Sequence, residues 1–136
     1  MANGSLNFNF QIDQSIIQNF TDSKMRDARE KAVEAAGMVW ADETKEIVRE
    51  DDHIDTGLFV NSIGYITRIG TVQATEADVV NEIASNRDTT TLKIGSAVAY
   101  AAPLEKKYNI MARGLDRAQT RMNQVAEHQL KSRLGL

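Results

Sequence analysis

An α+β fold, a small and mostly antiparallel sheet packed by one long helix in the N-terminal half and by a C-terminal helix, follows from three patterns in the sequence. Leu6, Phe8, Phe10 and Ile12 alternate with Asn7, Asn9 and Gln11, the period-two signature of a strand with one buried face. Small and apolar residues then recur at Met25, Ala28, Ala32, Ala35, Ala36, Val39, Ile47 and Val48, the spacing of a long amphipathic helix. Near the end, Leu115, Ala118, Met122, Val125, Ala126, Leu130 and Leu134 repeat at three and four, which predicts a closing helix over 115–134. The 136 residues suit one domain over 1–136, and a chain of that length buries roughly two thirds of its unfolded surface, enough for a core without staples.

The first strand is expected over 5–12. Asp13 can cap a short helical turn holding Ile16, Ile17 and Phe20, and Thr21 or Asp22 can cap the long helix that runs to about Glu50. Lys24, Arg29, Glu30, Lys31, Glu34 and Lys45 fill its other positions, leaving a narrow alanine-rich stripe that permits close approach of another element. Asp51 to Gly57 breaks the helix, and Leu58 to Ile63 reads as a short turn capped by Asp55 or Thr56. Tyr65, Thr67 and Ile69 alternate, predicting a second strand over 64–74.

Residues 75–88 support two readings: Thr75 followed by Glu76, Ala77 and Asp78 starts a helix, while Val79, Val80 and Ile83 fit a hairpin. The polar segment 70–91 is expected to form a flexible hairpin or flap that projects from the sheet and orders on docking. Thr89 to Gly95 is rich in β-branched residues, so a third strand to about Ala99 is predicted, with Gly95 as a candidate bulge. Pro103 suits the first position of a short helix over 103–107, where its missing N–H costs nothing, and Gly114 precedes the closing helix.

Composition narrows the function classes. Sixteen basic and nineteen acidic residues give a net charge of −3, so no global positive field exists to grip a phosphate backbone. A ring that lets DNA slide through would tolerate such a wall, since tight phosphate contacts stall passage. With no cysteine there is no disulfide framework, thiolate nucleophile or cysteine-ligated zinc, which suits a reducing compartment without proving one. No window approaches the ~20 apolar residues of a membrane span, and the opening Met-Ala-Asn-Gly-Ser-Leu reads as no export signal, so a soluble chain without membrane contact is expected.

Chemical constellations are weak. Asp55-Thr56-Gly57 is the triplet aspartic proteases use for a proton-sharing carboxylate, yet His53-Ile54 precede it and bulky Leu58 follows, unlike those enzymes. Asp51, Asp52, His53 and Asp55 offer hard-metal ligands, but the register of a calcium loop is absent and the segment reads better as a solvated helix end. His53 and His128 are the only histidines, and no serine elbow accompanies them; Gly64, Gly70 and Gly95 are scattered, with no phosphate-binding lysine. The expectation is no enzyme, no catalytic residue, no metal and no cofactor. Trp40 is expected in the core rather than as an interface anchor.

Two segments carry more. Asp55-Thr56-Gly57 with Asn61-Ser62-Ile63, followed by Tyr100-Ala101 and Glu105 and then by a closing helix, resembles the tail-completion (neck, head-tail joining) proteins of long-tailed double-stranded DNA phages. Their usual pattern is Asp-Thr-Gly-x-Leu-x-x-Ser-Ile, then Tyr-Ala-x-x-x-Glu. Phe59 stands at the usual leucine, Lys106 and Lys107 replace an aromatic-glycine step, and a proline-aromatic step before the last helix is missing. The resemblance spans residues 50–120.

It implies a virion structural protein: a homo-oligomeric ring, six-fold, between head connector and tail tube or terminator, located in the neck and in host cytoplasm during assembly. DNA would pass through its lumen without sequence recognition. Asp55, Thr56, Gly57, Phe59, Ser62, Tyr100 and Glu105 become structural or interface candidates, Glu105 reaching a basic residue within the chain or on a neighbour. The alanine-rich helix and the regions 51–63 and 100–114 are the two patches a head-to-tail contact needs. Arg117 and Arg121, one turn apart, form a basic strip toward DNA or a partner, or a solvated face. A head-completion protein on the portal is the rival within that biology; a small hydrolase or a regulatory binding module is the rival outside it.

Overall fold

The computed structural model describes residues 6–13, 21–51 and 57–136. Strand β1 covers Leu6–Asp13, close to its expected bounds; the turn expected at Ile16, Ile17 and Phe20 lies outside the described residues. Helix α1 covers Asp22–Glu50, and Thr21 caps it by accepting from the Lys24 amide at 3.3 Å. Helix α2, Leu58–Ser62, is followed by an irregular stretch, then a 3-10 turn at Glu76–Asp78, strand β2 at Val79–Ser85 and strand β3 at Thr89–Ser96. Helices α3, Ala101–Tyr108, and α4, Ile110–Leu134, close the chain.

The sheet has three strands in the order β1-β3-β2, both pairings antiparallel. Both readings of 75–88 hold in part: Thr75 and Asp78 form a reciprocal capping box around the 3-10 turn, and the hairpin follows. β2 is a constituent strand of the sheet, so within 70–91 the expected projection is replaced by an edge. Gly95 pairs in unbroken register with Asn7 on one side and Val80 on the other; it is no bulge.

Helices α1 and α4 run antiparallel and make the dominant contact of the molecule, with α1 also covering β3. Val33, Trp40, Ile47, Leu92, Ile94, Ile110 and Met111, each at most 1 % exposed, form the centre of the core. Met25, Ala28 and Leu134 form a second small cluster where the start of α1 meets the end of α4. Trp40 is fully buried and its indole N–H donates to the Met111 carbonyl at 3.2 Å, which ties the two helices at their crossing.

Gly114 lies inside α4, not ahead of it, and the helix starts five residues before the expected 115. A Cβ at Gly114 would overlap the hydroxyl and Cβ of Thr44, so glycine there is a condition of close approach to α1 and not a helix stop. Asn109, in the left-handed region at φ 52, separates α3 from α4, a conformation asparagine tolerates better than most side chains. Pro103 falls third in α3, still in the first turn, where its missing N–H has no intrahelical partner.

Most of the alanine stripe is spent internally: Ala28 and Ala32 are fully buried, Ala36 nearly so and Ala35 partly, which corrects its expected use as a patch for a neighbouring subunit. Arg29 and Lys45 are also buried, at 0 % and 5 % exposure, although the sequence placed them among the helix's polar positions.

Candidate functional site

The two motif segments, distant in sequence, meet in space. Gly57 opens α2 at φ 96, in the left-handed region, and a Cβ there would overlap the Ile69 carbonyl; only glycine satisfies both conditions. It occupies the N-cap position that Asp55 or Thr56 was expected to fill, and those two lie outside the described residues. Phe59 is buried and its ring centroid stands 6.3 Å from that of Tyr100, tilted by 54°, within the range of favourable aromatic pairs. Tyr100 is itself 40 % exposed. Ser62 is fully buried: its hydroxyl donates to the Phe59 carbonyl at 2.7 Å and sits 2.7 Å from the Ser96 hydroxyl, which accepts from the Val98 amide. These hydroxyls stitch α2 to the end of β3, and neither has a general base among these partners.

The strand expected over 64–74 is absent because a side chain supplies its pairing. Asn61, 1 % exposed, donates through Nδ2 to the carbonyls of Ile69 (2.6 Å) and Val72 (3.1 Å) and accepts at Oδ1 from the Ile69 amide (2.7 Å) and the Thr67 hydroxyl (3.0 Å). Two donors and two acceptances fill the amide's capacity, so residues 67–72 wrap around one side chain and need no neighbouring strand. In the sequence Asn61 stands out only as a neighbour of Ser62; nothing in its period marks it as a hub.

Lys45 fixes the start of the same stretch. Its Nζ donates to the Tyr65 carbonyl at 2.7 Å and the Thr67 hydroxyl at 3.1 Å, and lies 4.0 Å from the Tyr65 ring centroid. Burial lowers its pKa from the ordinary lysine value to about 8, against a smaller opposing effect of Asp42. Tyr65 donates its hydroxyl to Asp42, and burial followed by that bond raises the phenol to about 12. An open groove of about 400 Å³ follows, lined by Tyr65, Ile66, Glu76, Val79 and Asn81.

Glu105 turns inward along the chain. Its two carboxylate oxygens accept from the amides of Met111 (2.6 Å) and Ala112 (3.0 Å), so it caps the first turn of α4, where amide donors lack helical partners. Beside it, Arg113 pairs with Asp51, and that bond raises the guanidinium pKa. Arg117 donates to Glu50 at 2.6 Å and also reaches Glu43 at 3.3 Å. The expected basic strip is therefore half neutralised by α1; Arg121, one turn on, is exposed and adds no ion pair among the described residues.

Arg29, the other missed residue, pins the β2–β3 turn: Nε donates to the Thr90 hydroxyl (2.9 Å), Nη2 to the Asn86 carbonyl (2.9 Å) and Nη1 to the Arg87 carbonyl (3.3 Å). Among the described residues no group of three acidic, histidine or cysteine side chains is placed to hold a metal; Asp52, His53 and Asp55 lie outside them. Among the described residues no helix is long and apolar enough to cross a membrane. Comparison with family models, with curated proteins and with solved structures finds no match to this chain.

Proposed function

We propose that this chain is a structural subunit of the phage neck, closing with copies of itself into a ring that joins the head connector to the tail and lets DNA pass through. The observation that carries the reading is the convergence of the two motif segments. Phe59 of one packs against Tyr100 of the other, and Ser62 of the first bonds Ser96, four residues ahead of Tyr100, so these residues of the two segments share one packed region. Their partners are carbonyls, amides, hydroxyls and rings, the chemistry of a rigid scaffold. The outer face of the sheet adds support: Asn9 and Gln11 are exposed there, and Lys93 lies between Asn9 and Glu82 with its charge opposed by the glutamate. Such a polar face, with no excess of basic residues, suits passage of DNA better than capture of it.

The test is mass measurement of the purified chain alone and with the neighbouring virion proteins, together with the phenotype of a phage lacking the gene. A closed oligomer of fixed number, six by the resemblance, and heads and tails that accumulate unjoined are expected. A chain that stays monomeric with both sets of partners, or particles that mature without it, defeats the reading. Binding to the portal alone would move it to the head-completion role.

A further inference from the structure

The three-stranded sheet ends in two bare edges among the described residues. β1 and β2 flank β3 and are both antiparallel to it, so they run parallel to each other on opposite sides of one sheet. Strand edges present unpaired amides and carbonyls, and natural sheets protect them with proline, bulges, charges or a covering segment. Neither strand contains proline or breaks register; Asn7, Asn9 and Gln11 of β1 are uncharged, and the strand's one charge is Asp13 at its last position. Glu82 is the single charge of β2, where Asn81, Ala84 and Ser85 are also exposed.

We propose that copies of this chain join edge to edge, β2 of one subunit pairing in parallel with β1 of the next. This rests on the ring reading above and names its joint. Rotation about an axis along the strands brings these two edges together in the same direction, as a head-to-tail contact requires. A two-fold contact of β1 with β1, or of β2 with β2, uses one edge and leaves the other bare. The head-to-tail joint, closed into a ring, consumes both with a single kind of contact. Each copy thus supplies both members of the pair, and the occupant of each edge is a second copy.

The absence of native cysteine gives a clean test. Asn9 and Glu82 both stand opposite Lys93 on the outer face, so within one subunit they are two strand spacings apart, about 9.6 Å. That exceeds the ~7 Å limit between Cα atoms for a disulfide, and a bond in the double variant Asn9→Cys/Glu82→Cys must link two copies. Because a register step of two residues moves the partner about 6.8 Å, Asn7→Cys and Gln11→Cys are each also combined with Glu82→Cys. Circular dichroism and mass of the reduced variants check that these surface changes leave fold and assembly intact.

Under mild oxidation, one of the three double variants should give a ladder of cross-linked species whose largest member matches the native oligomer. Single variants should give none, and a mixture of the matching singles should give dimers only. Cross-linked dimers from one single variant alone would reveal a two-fold joint and overturn the proposal. An intact oligomer with no cross-link in any register would also overturn it, leaving the neck reading in place, whereas a monomer under every condition defeats both.

Discussion

Arg29 and Lys45 leave the buried side of the same helix, about 24 Å apart along its axis, and hold two different loops. Arg29 meets three oxygens of the β2–β3 turn through a planar guanidinium; Lys45 meets two oxygens and a ring at the start of the 65–72 wrap. Arginine stays charged at any pH a protein survives, and its fork matches several acceptors at once. Lysine is a point charge whose pKa moves with burial. One end of the molecule is therefore locked independently of pH, and the other is held by a group that titrates near 8.

The largest effect should come from Arg29→Met. It keeps the apolar stem but leaves the Thr90 hydroxyl and two carbonyls of the turn without their donor, at a cost of about 4 kcal/mol. Arg29→Lys should recover only part, since one ammonium cannot span three oxygens. Urea unfolding gives the size, and amide exchange at 86–90 gives the place. A loss below about 1 kcal/mol would mean that water replaces the guanidinium without cost.

At the other end Asn61→Asp should cost about 3 kcal/mol, because it turns two donors into acceptors facing the Ile69 and Val72 carbonyls. Its damage should appear as loss of exchange protection at Ile69 while 86–90 stays protected. Spread of the damage to the hairpin would show that the two ends unfold as one unit.

Lys45 sharpens the contrast through pH. Its folded pKa lies below the unfolded value, so between about 8 and 10.5 the unfolded chain binds more protons and stability rises with pH. From pH 7 to 9.5 the expected gain is about 2 kcal/mol. Above pH 10 the gain should reverse, because the Tyr65 phenol, raised to about 12 when folded, ionises first in the unfolded chain. Lys45→Met should flatten the rise and Tyr65→Phe the fall, read from urea midpoints across that range. A rise that persists in Lys45→Met would assign it to another group.

Most of the frame was legible in the sequence. Alternation set β1, helical spacing set α1 and the later turns of α4, and Thr21 marked its cap. Arg29 and Lys45 were legible too, since each sits three or four residues from buried positions, Met25 and Ala32 in one case and Ala41 and Val48 in the other; charge outweighed period in reading them as surface. The strand expected at 64–74 failed for a different reason. Tyr65, Thr67 and Ile69 do alternate, but Asn61 takes the hydrogen bonds a partner strand would have supplied, and long-range capture by one side chain leaves no local pattern. Likewise Gly114 reads as a stop until Thr44 is found against it.

Arg117→Gln should give the smallest effect and sets the scale for the others. Arg117 bonds Glu50 and Glu43 on α1, but Arg117 and Glu50 are exposed and Glu43 is only half-buried, and water and salt screen such pairs. The bond to Arg117 lowers the Glu50 pKa, so whatever it contributes is present above the usual carboxylate range and fades as pH falls through the depressed value. The variant should unfold with the wild type in 0.5 M salt, differ slightly at low salt, and lose that difference in acid. A loss matching that of Arg29→Met and unchanged by salt would place Arg117 with the buried cations. The contrast between locked interior charge and screened surface charge would then be wrong at the α1–α4 seam.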